Sequence, residues 1–155
     1  ILIIIFYLQI TLTLKNRRRW QLNQDYPTLK QWFKDHQWES PIPKDILPEL
    51  GIIIDDICAA GLYTDKSSTL GYMYGIFSNP NIPKLTLFKS MKECFEGIKE
   101  LAKELNLKYI YTTTGEMALH KLYNNHLHLT KLETTIQSYI IDLNNTNKNL
   151  DWISE

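Results

Sequence analysis

Residues 71–105, GYMYGIFSNPNIPKLTLFKSMKECFEGIKELAKEL, put an apolar strand, a Pro/Asn/Lys loop and an amphipathic helix end to end. A strand that ends in a loop and opens a helix directs backbone N–H groups and the positive helix end at an anion, so this stretch suits a phosphate-bearing ligand or cofactor. Tyr26, Leu29, Trp32, Phe33 and Trp38 recur at helical spacing. Such an aromatic face either packs on a sheet, or Trp32 or Trp38 lines a substrate groove beside the loop ESPIPKDILPELG, whose prolines break regular structure. The adjacent carboxylates Asp55 and Asp56 could serve a metal or acid/base chemistry. On a strand they would point to opposite faces, and in a turn they more often hold backbone hydrogen bonds. Cys58 and Cys94 lack CxxC spacing and lie in apolar segments, and so read as buried free thiols. His126 and His128 would share one side of a strand, but zinc wants further ligands that the sequence does not place, so no metal is expected.

The elements needed to position these groups follow from periodicity and punctuation. Residues 20–22 read as a short strand, followed by a helix capped by Asn23 or Asp25 with Pro27 in its first turn. Residues 51–54 and 57–63 form a hairpin around Asp55 and Asp56. In the central strand, residues 70–77, alternation puts Leu70, Tyr72, Tyr74 and Ile76 on one face and Gly71, Met73, Gly75 and Phe77 on the other. Its two glycines suggest a bulge or the close approach of another group. A loop over residues 79–86 then leads to a helix capped at Thr86 or Ser90, with the stripe Phe88, Met91, Phe95, Ile98, Leu101, Ala102 and Leu105, and with Asn106 as C-cap. A strand at 109–114, a short helix at 116–123 and two closing strands at 129–133 and 136–143 complete the order. A mixed α/β sheet with helices on both faces is the economical architecture.

At 155 residues the chain holds one domain's worth of core. Seventeen basic residues balance seventeen acidic ones, which disfavours a nucleic-acid partner, since gripping phosphates needs a basic surface. The apolar run 1–14 is shorter than the roughly 20 residues of a membrane span. It reads as an extra strand or pair of strands, or as an extension packed on a partner; a membrane is expected only if the run is the remainder of a truncated anchor. The basic cluster Arg17, Arg18 and Arg19 is expected to face solvent. The layout is thus an extension over 1–17, a domain over 18–143 and a polar tail over 144–155.

The order of elements, together with LKQWFKDHQWESPIPKDILPELGIIID, CAAGLYTD, IFSNP and AKELNLKYIYTTT, resembles the GNAT family of N-acetyltransferases. Within it these words look like a group of small bacteriophage-encoded proteins, over about residues 19–143. The resemblance implies a GNAT-like mixed twisted sheet of about six to seven strands with helices on both faces. It implies acetyl-CoA as co-substrate, held where the central strand and the strand after the long helix splay apart. Ile76, Phe77 and Ser78 would pair with the pantetheine arm, and a backbone N–H near Phe77 would polarise the thioester carbonyl. A loop carrying Lys84, Thr86, Leu87, Phe88 and Lys89 would wrap the pyrophosphate, with Thr113 and Thr114 on the splayed strand. Tyr123 falls where the family keeps the tyrosine that protonates the leaving thiolate. Trp32, Trp38 and Tyr72 would line the acceptor groove.

The sequence departs from the family pattern twice. PNIPKLTLFKS has no glycine where a glycine-containing phosphate signature is usual, with Lys84 and Lys89 offering charge instead. Tyr74 stands where many members carry a glutamate base, and a phenol titrates only near pH 10; Asp65, His36 or one of His120, His126 and His128 are further candidates for that role. The resulting expectation is acetyl transfer to an amine-bearing small molecule or protein, in the cytoplasm (for a phage protein, that of the infected host), by a monomer or homodimer. The alternative is a catalytically inactive GNAT-fold binding protein or phage accessory protein.

Overall fold

Five strands hydrogen-bond in chain order: β1 (Arg17–Arg19), β2 (Gly51–Ile54), β3 (Cys58–Tyr63), β4 (Leu70–Ser78) and β5 (Tyr109–Thr112). The first four run antiparallel to their neighbours, and β5 joins β4 in parallel. The computed structural model describes residues 17–38, 41–114, 117–127 and 129–130. It divides into two compact units, Ile1–Thr113 and Thr114–Glu155, each taken by itself below. Five strands among the described residues replace the six to seven expected. The expected segments 129–133 and 136–143 fall almost wholly outside the described residues, and Leu129 and Thr130 carry no strand.

In the first unit, helix α1 (Leu22–Asp35) covers one face of the sheet. Its Leu29, Trp32 and Phe33 pack with Trp20, Leu47, Ile53, Ala59 and Phe77. Helix α2 (Lys84–Glu104) covers the other face through Cys94, Phe95, Ile98, Leu101 and Ala102. There the Cys94 thiol donates to the Ile52 carbonyl at 3.7 Å. The neighbouring Cys58 sulfur and burial push the Cys94 thiol well above its usual range, and both cysteines are buried free thiols. Helices thus lie on both faces, as periodicity implied.

Residues 20–22 are not a strand. Trp20 lies flat over two glycines of the sheet, and a Cβ on Gly51 would stand 2.3 Å from its indole. Its ring N–H donates to the Glu49 carbonyl at 3.0 Å, which completes the burial of a polar aromatic. The first strand is instead the arginine run, paired with β2 in the register Arg17↔Ile54 to Arg19↔Ile52. The basic cluster is therefore not an open cationic patch. Arg17 reaches Glu100 at 2.9 Å and Glu93 at 3.6 Å, and Arg19 pairs with Glu104. Arg18 grips buried Asp25 with two bonds, of 2.9 and 2.7 Å, and bonds Asp55 at 3.0 Å. Asp55 is thereby an ion-pair partner beside a turn in which Asp56 takes φ 57°, not half of a catalytic pair.

Helix α1 begins at Leu22, with Gln21 rather than Asn23 or Asp25 as N-cap. Asp25 instead reaches back to accept the Gln21 N–H at 2.6 Å, so a first-turn carboxylate satisfies the donor of the N-cap residue. Both long helices end in a Schellman turn. After α1, Gln37 takes φ 62° and donates to the Lys34 carbonyl, while the Trp38 N–H reaches Phe33. After α2, Asn106 takes φ 59°, with Leu107 bonded back to Ala102. In the second unit, helix α3 (Met117–Lys121) runs into a π-helical turn over Leu122–His126, closed by the Leu127 N–H on the Leu122 carbonyl at 3.0 Å. No helix of the described residues is long and apolar enough to cross a membrane.

Candidate functional site

The central strand contains the bulge that its glycines suggested. Between the pairs Ala59↔Phe77 and Gly61↔Tyr74, β4 carries Gly75 and Ile76 against the single residue Ala60. Gly75 takes φ 58°, a conformation that costs a side chain about 1–2 kcal/mol. The extra residue reverses the alternation downstream. Phe77 joins Tyr74 on the α1 face, with ring centroids 5.9 Å apart, and meets Phe33 edge-on at 5.3 Å. Strict alternation had put Phe77 beside Met73, and one inserted residue explains the error.

Just before the bulge, β4 loses its parallel neighbour. The β4–β5 register runs from Leu70↔Tyr109 to Met73↔Thr112 and stops, while β4 continues to Ser78. The Thr112 hydroxyl donates to the Met73 carbonyl at 3.1 Å, so a side chain makes the last bond of the seam. The Tyr72 and Thr113 hydroxyls bridge the same point at 3.2 Å. Among the described residues, then, the β5-side edge of residues 74–78 has no strand against it. This edge carries Ile76, Phe77 and Ser78, the residues that the family resemblance assigned to the coenzyme arm. The Phe77 side chain is buried in the core, which leaves its backbone as the part that can meet a ligand.

The stretch 84–89, expected as a loop, is the first turn and a half of α2. Pro83 takes φ −55° as the N-cap, and no side chain caps the helix, contrary to the expectation for Thr86 or Ser90. A proline lacking an N–H and preset near helical φ can open a helix without a hydroxyl cap. The first intrahelical bond is the Leu87 N–H to the Pro83 carbonyl at 2.9 Å. The amides of Lys84, Leu85 and Thr86 therefore stand outside the ladder, at an exposed helix start with no acidic residue in its first turn. Lys84 and Lys89 are both exposed; Leu87 and Phe88 are half-buried. The geometry favours an anion through backbone donors and the helix dipole, without a glycine.

Tyr74 is half-buried in a row of aromatic rings. Tyr63 and Tyr72 stack at 6.1 Å, Tyr63 and Tyr74 meet edge-on at 5.7 Å, and Tyr72 and Tyr111 lie 5.8 Å apart. Burial first, then neighbouring Tyr72, raise the Tyr74 phenol above its ordinary value. The Tyr74 phenol therefore keeps its proton at neutral pH, which disfavours it as a general base. Asp65 is held low by its bonds to Ser67 in an exposed turn. His36 caps the other end of the site, its Nε2 donating to the Ser78 carbonyl at 2.9 Å.

Of the groove residues, Trp32 is only 3% exposed and belongs to the core, because it lies on the sheet-facing stripe of α1. Trp38 is 46% exposed and stacks on Phe33 at 5.1 Å, the hydrophobic contact of the Schellman turn. Tyr72 is half-buried beside the fork. Thr113 closes the first unit and Thr114 opens the second, which also holds Tyr123, buried in the π turn. His128 lies outside the described residues. Sequence reasoning passed over Thr112, Tyr63 and Tyr111. Only the strand register, which sets Tyr63, Tyr72 and Tyr111 abreast, reveals them.

No family model matches the chain, and no curated protein does. Solved structures do. An aminoglycoside acetyltransferase from an uncultured soil metagenomic sample superposes with a TM-score of 0.56 at 12% identity, covering 82% of this chain and 95% of that one. A Trypanosoma brucei acetyltransferase gives 0.55 at 11% identity, covering 80% and 98%. A possible acetyltransferase from Clostridium difficile gives 0.50 at 9% identity, covering 81% and 97%. None of these is described as a phage protein. At such identities the likeness speaks for the fold, and the fold of this chain is that of the acetyltransferases.

Proposed function

We propose that the protein is an N-acetyltransferase that moves an acetyl group from acetyl-CoA to an amine on a small molecule or protein. The observation that carries this reading is the β4 edge opened at Met73, just before the bulge at Gly75, within an acetyltransferase fold. When bound, acetyl-CoA supplies a thioester carbonyl for the amine to attack and a sulfur that leaves. The backbone of Ile76, Phe77 and Ser78 holds the pantetheine arm as an added strand, and an N–H near Phe77 orients the carbonyl. The amides of Lys84, Leu85 and Thr86, with the charges of Lys84 and Lys89, hold the pyrophosphate. Leu87 and Phe88 flank that grip, and Thr113 bounds the opposite side of the fork. Trp38 and Tyr72 face the acceptor. The proton for the leaving sulfur is assigned to Tyr123 on its place in the order of elements, in the helical segment that follows β5.

Calorimetric titration with coenzyme A tests the reading: binding is expected, weakened about tenfold or more by the double change K84E/K89E. Absence of both binding and thermal stabilisation removes the transferase assignment. Tyr123→Phe is expected to lower kcat by about tenfold or more with coenzyme affinity nearly unchanged. An unchanged rate takes Tyr123 out of the mechanism. One observation favours a second reading, a binding protein without transfer: Tyr74 is a protonated phenol rather than a base. Coenzyme binding without turnover on any amine would establish it.

A further inference from the structure

Tyr63, Tyr72, Tyr74 and Tyr111 come from three different strands and meet where β5 ends beside β4. Register sets Tyr63, Tyr72 and Tyr111 abreast, and Tyr74 lies one step along β4 on the same face. Their ring centroids are 5.7–6.2 Å apart. All four are half-buried, so each keeps surface. Two are pinned by their hydroxyls: Tyr63 donates to the Ile46 carbonyl, and Tyr72 bonds Thr113. The electrostatic neighbours of Tyr63 and Tyr74 are other phenols of the row. Asp45, in the 3-10 turn beside Tyr63, acts on Tyr26 rather than on the row. Among the described residues the recorded cation over a ring is Lys99, on Phe95 of α2. The row is a rigid, uncharged aromatic surface that adjoins the fork.

We infer that this tyrosine row is the acceptor floor and that its acceptor is a planar aromatic amine, uncharged at neutral pH. The inference rests on the acetyltransferase reading and adds the substrate class. Two properties of the row select that class. A flat ring stacks on tyrosine faces, each such pair contributing about 0.5–1.5 kcal/mol beyond area burial. An aliphatic ammonium, with a pKa near 10, must also surrender a proton before its nitrogen can attack. Among the described residues the titratable neighbours that act on Tyr63 and Tyr74 are phenols, and burial makes both hold their protons more firmly than free tyrosine does. An aromatic amine spreads its lone pair into its ring and arrives neutral, so no such group has to take a proton first. In the transfer the amine nitrogen forms the C–N bond, the C–S bond breaks, and the proton lost by nitrogen ends on sulfur, giving amide and free thiol.

The test uses the intact protein and three probes: aniline, benzylamine and cyclohexylamine. Calorimetry without coenzyme is expected to show aniline binding about tenfold more tightly than cyclohexylamine. Tyr111→Leu should erase that preference while Tyr111→Phe, which keeps the ring, retains it; coenzyme A affinity should hold within about twofold in both variants. With acetyl-CoA at neutral pH, aniline should turn over about tenfold faster than benzylamine, and only the benzylamine rate should climb with pH. Stronger binding or faster turnover of benzylamine or cyclohexylamine overturns the inference and marks the row as a cation–π site. Coenzyme binding without an aniline preference sinks this inference alone. Failure of coenzyme A to bind sinks the transferase reading, and with it the acceptor role of the row.

Discussion

Gly75 holds φ 58° where β4 bulges, and a Cβ there would meet the Phe77 ring at 3.3 Å. Gly75→Ala is expected to cost about 1–2 kcal/mol in a denaturant melt, since the left-handed conformation penalises a side chain. If the bulge shapes the ligand edge, coenzyme affinity should fall with it. Asp25 is the other residue on which much depends. The Arg18 guanidinium, aided by the Gln21 N–H, holds its carboxyl below the usual carboxylate range against the opposing effect of burial. A depressed folded pKa gives stability that is present above the unfolded value and lost as pH falls through the folded one. Acid titration of stability should therefore show a loss beginning below about pH 4. Asp25→Asn should remove this component of the acid transition and lower stability at neutral pH.

At the scale of elements, the two Schellman turns are not equally matched to their residues. Asn tolerates the left-handed conformation better than Gln does. Gln37→Gly is thus expected to raise stability by up to about 1 kcal/mol, measured by the melting temperature, whereas Asn106→Gly should gain less. The β1 strand is held to α2 by Arg17 and Arg19 with Glu93, Glu100 and Glu104, pairs whose acidic partners are well exposed. Such pairs contribute little and are screened by salt. Added salt should therefore move the melting temperature only slightly. The Schellman turn of α1 also fixes Trp38, because its backbone N–H and its ring both lock onto Phe33.

For the whole molecule, the aromatic row links stability to alkaline pH. Burial raises the phenols of Tyr26, Tyr63 and Tyr74. A raised folded pKa gives stability that is present below the unfolded value, near pH 10, and lost as pH rises through the folded one. Alkaline unfolding is expected to begin above about pH 10 and to coincide with tyrosinate absorbance, with Tyr74→Phe shifting the midpoint upward. The open β4 edge, the start of α2 and the tyrosine row all belong to the first unit.

The sequence alone determined the elements whose signals are local. The α2 stripe, the hairpin at Asp55, the helix faces and the unusual glycines of β4 all follow from periodicity and turn chemistry within a few residues. The order of those elements was enough to carry the acetyltransferase resemblance. Only the tertiary structure decided what depends on pairing between distant segments. The arginine run looked like a solvated basic cluster because nothing local shows Glu93, Glu100, Glu104, Asp25 and Asp55 converging on it. Phe77 changed face because one inserted residue reverses a period of two, and the insertion is defined only against β3. Tyr63 and Tyr111 joined Tyr72 because register, a relation between strands, cannot be read from any one of them.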